Sequence, residues 1–275
     1  MVRMRSGTWR RALVLMALTA LGTGAVTATA WAAGPGGPGH DVSHPDCDDR
    51  LPDSSRFGIV GINQGRPFST NPCLTDQYRW AAGRPSPAAL YVNTSNPAPN
   101  SRHYWPRSGT KDPALCTDNG SRTDPGCAYN YGWHAAADAL TTGKKLGRTV
   151  LGHTWWLDVE TTNTWNGDGT SNTAVVQGMY DYLRSHGVAR VGVYSTSYQW
   201  KKITGAYTTS SAGDYRTAWA PHFTPRYSLH SAPLWVATRA TSTTARKMCS
   251  TSFTGAPTRM VQFLGLDGFD TNLTC

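Results

Sequence analysis

The sequence predicts an α/β chain whose strands close into an irregular or incomplete TIM-like (β/α) barrel, in a single domain. Short, buried-type strands alternate with amphipathic helices, the order that produces a parallel sheet. From about Asp41 to Cys275 some 235 residues remain, enough for one large core or two small ones, and the absence of a second linker favours one domain. One strand ends in an acidic pair, Asp158 and Glu160, and strand C-termini are where barrels carry their chemistry. The competing architecture is a doubly wound open sheet. It lacks a Gly-rich phosphate loop, since Gly61-Ile62-Asn63-Gln64-Gly65 does not match G-x-G-x-x-G.

The leader, residues 1–32, reads as a secretory signal. Arg3, Arg5, Arg10 and Arg11 make a basic start, Ala12 to Ala20 an apolar stretch, and cleavage is expected between Ala30 and Ala33. The apolar core is short for a membrane span, so no stable membrane anchor is expected after cleavage, and the chain should be secreted and extracellular. Residues 33–46, opening with Gly34-Pro35-Gly36-Gly37-Pro38-Gly39, read as a flexible spacer. His40 and His44 fall in it and are assigned no role. Residues 47–275 are the expected barrel domain.

Phe57 to Ile62 is apolar with two glycines and reads as the first strand, with Asn63 at its end. Leu74 to Ala82 is a helix stopped by Gly83 and Pro85. Ala88 to Val92 is the next strand, with Asn93 at its tip. Thr94 to Asn130, rich in Pro, Gly, Ser and Asp, reads as a long functional loop. Tyr131 to Leu140 is helical. Trp155 to Glu160 is a strand. Asn172 is expected to cap a helix from Thr173 to His186, whose buried stripe is Val175, Val176, Met179, Tyr182 and Leu183. Arg190 to Tyr194 is a strand and Ser197 to Ile203 a helix. Pro233 to Ala237 and Arg259 to Phe263 are strands, and Thr217 to Ala220 is a candidate for one more.

The formal charge of +9 includes four leader arginines and no leader acid, which leaves +5. The remaining cations are dispersed, which argues against nucleic acid as a partner. A mild positive balance suits an anionic polymer such as a bacterial cell wall. Six cysteines in a secreted chain imply disulfides. Of the fifteen possible connectivities the sequence-local one is simplest: Cys47–Cys73, Cys116–Cys127 and Cys249–Cys275. No Cys-x-x-Cys, Cys/His or HExxH spacing calls for a metal, and no motif calls for a cofactor.

Glu160 is the only glutamate in the 275 residues. Alternation along a strand puts Asp158 and Glu160 on one face, about 7 Å apart. Three readings compete: paired acids that hydrolyse a glycosidic bond, ligands of a hard cation, or partners of arginines. Like charge and apolar neighbours both raise a carboxyl pKa, as a general acid requires. Eleven tryptophans and twelve tyrosines favour sugars, because aromatic faces pack on the C–H faces of sugar rings. Trp105, Trp165, Tyr194 and Trp200 stand where strands run into loops. Trp80, Trp133 and Trp219 read as core.

Trp155-Trp156-Leu157-Asp158-Val159-Glu160 resembles the signature strand of the glycoside hydrolase family 25 lysozymes, an apolar run ending in Asp-x-Glu. Gly192-Val193-Tyr194-Ser195 with Tyr198 to Trp200, then Pro233 to Ala237, then Val261-Gln262-Phe263 with Gly268 to Asn272, are similar to further segments of that family in the same order. The resemblance implies a secreted muramidase that cleaves peptidoglycan or a related N-acetylated glycan. It implies Glu160 as general acid/base and Asp158 as the group that orients the acetamido substituent or stabilises charge. Asp270 would line the far side. Trp156, Tyr194, Trp235 and Gln262 would shape the pocket, joined by Asn63 and Asn93 at their strand ends. The family's first strand carries an aspartate in a G-I-D-V-S pattern. Val60-Gly61-Ile62-Asn63 has none, so the chain is expected to lack that acid. A non-catalytic, glycan-binding barrel is the alternative this departure suggests.

Overall fold

The computed structural model describes residues 37–101 and 103–275. The expected signal and residues 33–36 of the expected spacer lie outside them. Eight strands close into one barrel in chain order: β1 (Gly39–Val42), β2 (Gly58–Gly61), β3 (Ala89–Asn93), β4 (Thr154–Asp158), β5 (Arg190–Ser195), β6 (Leu234–Ala237), β7 (Thr258–Leu264) and β8 (Asp270–Thr274). β1 to β7 are parallel, and β8 closes the ring antiparallel to β7 and β1. The helices are α1 (Leu74–Ala82), α2 (Pro125–Lys144), α3 (Gly169–Ser185), α4 (Ser197–Thr204), α5 (Ala212–Trp219) and α6 (Ser242–Ala245). Among the described residues no helix is long and apolar enough to cross a membrane.

β2 to β6 are largely apolar on both faces because both are covered. Leu90, Val92, Trp155, Leu157, Val191, Val193, Leu234 and Val236 point outward into the layer beneath the helices. The inward residues fill the lumen. Trp235 makes ring contacts with Tyr91, Trp156 and Tyr194, tying β6 to β3, β4 and β5. At Gly192 of β5 an added Cβ would lie 2.3 Å from the Trp156 ring and 2.7 Å from the Pro233 carbonyl oxygen. Gly192→Ala is therefore expected to cost about 2–3 kcal/mol by overpacking and to lower Tm by about 5–10 °C in a thermal melt.

Three expectations are corrected here. First, residues 39–46 are not spacer. They form β1 and a 3-10 turn at His44–Asp46, and His40 is 3% exposed. Its Nδ1 lies 2.5 Å from Ser55 Oγ and its Nε2 3.1 Å from Asp267 Oδ2. Periodicity cannot be read from four residues flanked by Gly and Pro, and burial comes from β2 and β8 on either side. Second, Phe57 to Ile62 is consequently the second strand. β8, rich in Asp, Thr and Asn, carries no apolar run to announce it. Third, Thr217–Ala220 is the end of α5 and its C-cap, not a strand.

Helix starts follow capping chemistry more closely than apolar periodicity. α2 begins at Pro125, six residues before the expected Tyr131, because Asp124 Oδ1 accepts from Cys127 N at 2.8 Å and proline suits the first helical position. α3 is capped by Asp168, whose Oδ2 accepts from Ser171 N at 2.7 Å. Asn172, expected as its cap, is buried inside the helix and donates to the Ile203 carbonyl. α2 and α3 cross closely: a Cβ at Gly132 would lie 2.0 Å from Val175 O, and one at Gly178 2.2 Å from Tyr129 O.

The three sequence-local disulfides are the ones formed. Cys47–Cys73 ties the turn after β1 to the start of α1. Cys116–Cys127 folds the long loop onto the first turn of α2. Cys249–Cys275 holds the end of β8 to the segment after α6. Each removes about 3 kcal/mol of loop freedom from the unfolded chain on an entropic account.

Candidate active site

The site is built on the C-terminal ends of the parallel strands. Register places Asn93, Asp158, Tyr194 and Trp235 in one row across β3, β4, β5 and β6. Glu160 lies two residues beyond β4, where Val159 still pairs with β5 through Val159 N to Tyr194 O, 2.9 Å. Its carbonyl accepts from Trp165 Nε1 at 2.7 Å and from Asn163 N at 3.2 Å. These bonds fix the backbone from which the carboxyl projects.

Asp158 is 4% exposed. Its Oδ2 accepts from Asn93 Nδ2 at 2.5 Å, while its Oδ1 is buried without a hydrogen-bond partner among the described residues. Burial, then the charge of Glu160, push the Asp158 pKa well above the carboxylate range. Burial also raises Glu160, opposed by a hydrogen bond from Gln199 and reinforced by Asp270. Ionising one of the pair therefore raises the cost of ionising the other.

A third acid, Asp41, completes the cluster. Asp41 of β1 receives both Gln262 Nε2, 3.1 Å from each carboxylate oxygen, and Asn272 Nδ2, 2.6 Å from Oδ1. Tyr194 Oη donates to Gln262 Oε1 at 2.7 Å, and Trp235 Nε1 donates to Asn272 Oδ1 at 2.9 Å. Four strands thus converge on one carboxyl. Burial, then the charge of Asp270, push the Asp41 pKa up to about 7. The expectation of a missing first-strand acid is therefore corrected: Gly39-His40-Asp41-Val42-Ser43 supplies the Gly-x-Asp-Val-Ser pattern. The pattern starts at the end of the Gly/Pro run at 34–39, whose composition masks a four-residue strand.

The other expected residues divide by what they touch. Asn93 holds Asp158. Tyr194 and Gln262 hold Asp41 directly or in relay, and Trp235 acts through Asn272. Trp156 packs against Trp235 in the lumen. Asp270 stands exposed at the start of β8, paired in register with Asp41. Asn63 is 1% exposed and supports the Asn93 backbone, its Oδ1 accepting from Asn93 N at 3.0 Å. Its side chain meets the protein's own backbone. Trp105 and Trp200 are buried, so neither offers a face to a sugar. Asn272 and Gln199 fall in segments that resemble the family, but the sequence assigns their side chains no role, since a lone amide carries no signal until its partners are known. Among the described residues, Cys116, Asp124 and Cys127 have metal-like spacing, but the two sulfurs are bonded to each other.

A family profile described as "Lysozyme-like protein 1" matches residues 136–219, from α2 through α5. A probable GH family 25 lysozyme 4 of Dictyostelium discoideum is 43% identical over 56 residues, 20% of this chain and 25% of that protein. Over these segments the chain is similar to lysozyme-like proteins and to a glycoside hydrolase family 25 lysozyme. The matched segment spans only a quarter of that relative's length. The lysozyme-like fold extends further. The bacterial lysozyme from Streptomyces coelicolor superposes with a TM-score of 0.51 at 16% identity, covering 87% of this chain and 92% of that one. The muramidase from Acremonium alcalophilum gives 0.51 at 14% identity, covering 86% and 93%. The eight-stranded barrel with its surrounding helices is the shared fold.

Proposed function

We propose that this lysozyme-like protein is a secreted glycoside hydrolase that cleaves peptidoglycan or a related N-acetylated glycan. The observation that carries the reading is the orphaned Asp158 Oδ1, buried beside Glu160 with its sister oxygen already held by Asn93. A buried acceptor without a donor is costly, and an acetamido N–H is the donor an N-acetylated sugar brings. Once that bond forms, Asp158 is favoured as the anion. Its charge then keeps the proton on Glu160, which delivers it to the glycosidic oxygen. Asp158, now hydrogen-bonded and ionised, aligns the acetamido group against the developing positive charge at the anomeric carbon. Peptidoglycan is the substrate that the family resemblance and the positive charge balance both favour, and the three disulfides suit an oxidising, extracellular setting.

The test is release of reducing ends from purified peptidoglycan and from a chitin-type polymer between acid and neutral pH. No release from either polymer overturns the reading. Asp158→Asn keeps the shape but cannot hold the charge, so kcat is expected to fall at least about 100-fold with insoluble-wall retention preserved. The motive for a purely glycan-binding barrel, an absent first-strand acid, is removed by Asp41.

A further inference from the structure

We infer that Gln199 is a positioning residue for Glu160, and that it assigns the transferable proton to Glu160 Oε2. The inference rests on the acid/base reading of Glu160 and goes beyond it to which oxygen acts. Gln199 lies in the first turn of α4, in the run Thr196-Ser197-Tyr198-Gln199. That is the pattern of a capping box, in which the glutamine side chain turns back to its own helix N-terminus. The Thr196 half of the box is present, its Oγ1 accepting from Gln199 N at 3.0 Å. The Gln199 side chain is spent across the mouth of the barrel instead. Its Oε1 accepts from Thr161 N at 2.5 Å and from Thr161 Oγ1 at 3.1 Å, and its Nε2 donates to Glu160 Oε1 at 3.3 Å.

The orientation of this amide is fixed by chemistry. A backbone N–H can only donate, so the end of Gln199 facing Thr161 must be the oxygen and the end facing Glu160 must be the NH2. Glu160 Oε1 therefore always faces a donor and acts as the acceptor oxygen of the acid. The proton resides on Oε2, which has no hydrogen-bond partner among the described residues and is left for the substrate. When Glu160 gives up its proton, the same N–H stabilises the carboxylate that forms.

The charged and titratable groups around Glu160 are Asp158 on its own strand, Asp270 on β8, Tyr194 on β5 and, through Asp158, Asp41 on β1. Tyr194 Oη is already committed to Gln262 Oε1 and the others are carboxyls, so no other N–H donor faces Glu160 if Gln199 is changed. Gln199→Met removes the donor at similar volume. The hydrogen bond favours ionised Glu160, so its loss raises the Glu160 pKa.

Because Glu160 is the only glutamate, 13C labelling of glutamate carboxyls gives a single wild-type resonance whose titration is read without any activity assay. In Gln199→Met its midpoint should rise by about half to one pH unit. The basic limb of kcat/KM should move upward with it, and kcat should fall about tenfold with KM within about twofold. Gln199→Glu keeps an acceptor for Thr161 N–H but faces Glu160 with a second acid, so its basic limb should also rise. An unmoved resonance in Gln199→Met, with Tm showing the variant folded, overturns the inference. If the wild type hydrolyses no glycan but the resonance moves as stated, the positioning role stands and the hydrolase reading falls.

Discussion

Glu160→Gln should remove at least about 10³-fold of the glycan hydrolysis rate, the scale of a lost general acid, while leaving the fold intact. Glutamine fills the same volume, and its carbonyl can still accept from Gln199 Nε2, so the mouth of the barrel keeps its shape. It cannot donate an acidic proton to the glycosidic oxygen. The effect on stability has the opposite sign to the effect on rate. Glu160 is held partly against its own desolvation and against the charge of Asp270, and a neutral side chain relieves both. Tm near pH 7 should therefore stay level or rise by a few degrees. Reducing-end release and a thermal melt on the same preparation decide the matter. Residual activity above about a tenth of wild type would assign the proton to another group. Retention on insoluble peptidoglycan should persist in the variant.

Asp41→Asn should flatten the pH dependence of stability. In the unfolded chain an aspartate titrates near 3.9, and in the fold Asp41 titrates at about 7. The folded state thus binds its proton more tightly than the unfolded one. Its contribution is complete below about pH 4 and is lost as the pH rises through 7. The interval corresponds to about 2–4 kcal/mol after allowing for partial exposure at the barrel mouth. Asp158, Glu160 and Asp270 are also raised, so the wild type should lose stability steadily from pH 4 to 7 in denaturant titrations. In Asp41→Asn part of that slope should vanish, since the asparagine oxygen still accepts from Gln262 and Asn272 without titrating. An unchanged slope would show that Asp41 is already ionised in the fold. Because the Asp41 charge bears on Asp158, the same variant should also lower kcat by about tenfold or more.

Much of this was legible in order along the chain. Trp155 to Asp158 reads as a strand because both of its faces are buried. The acidic pair stands out because strand alternation must bring Asp158 and Glu160 to one side. The cysteines pair locally because each partner is near in sequence. The helix stops were visible in Gly83 and Gly187, but two helix starts were misplaced. Asp124 and Asp168 won those positions by accepting backbone N–H groups, a local competition that apolar spacing does not report.

What the sequence determined by itself was the alternation of strands and helices that marks the barrel class and the placing of Asp158 and Glu160 on one strand face, since each rests on patterns within a strand or a helix, while for the disulfides it offered the local pairing only as the simplest of fifteen. Tertiary structure decided that residues 39–42 are the first strand, that Asp41 stands with the acidic pair, and that Gln199 is turned on Glu160. The physical reason is the closing of the ring. Only when β8 runs antiparallel between β7 and β1 do Gln262 and Asn272 meet Asp41. No pattern along a chain encodes a contact between residues 41 and 272.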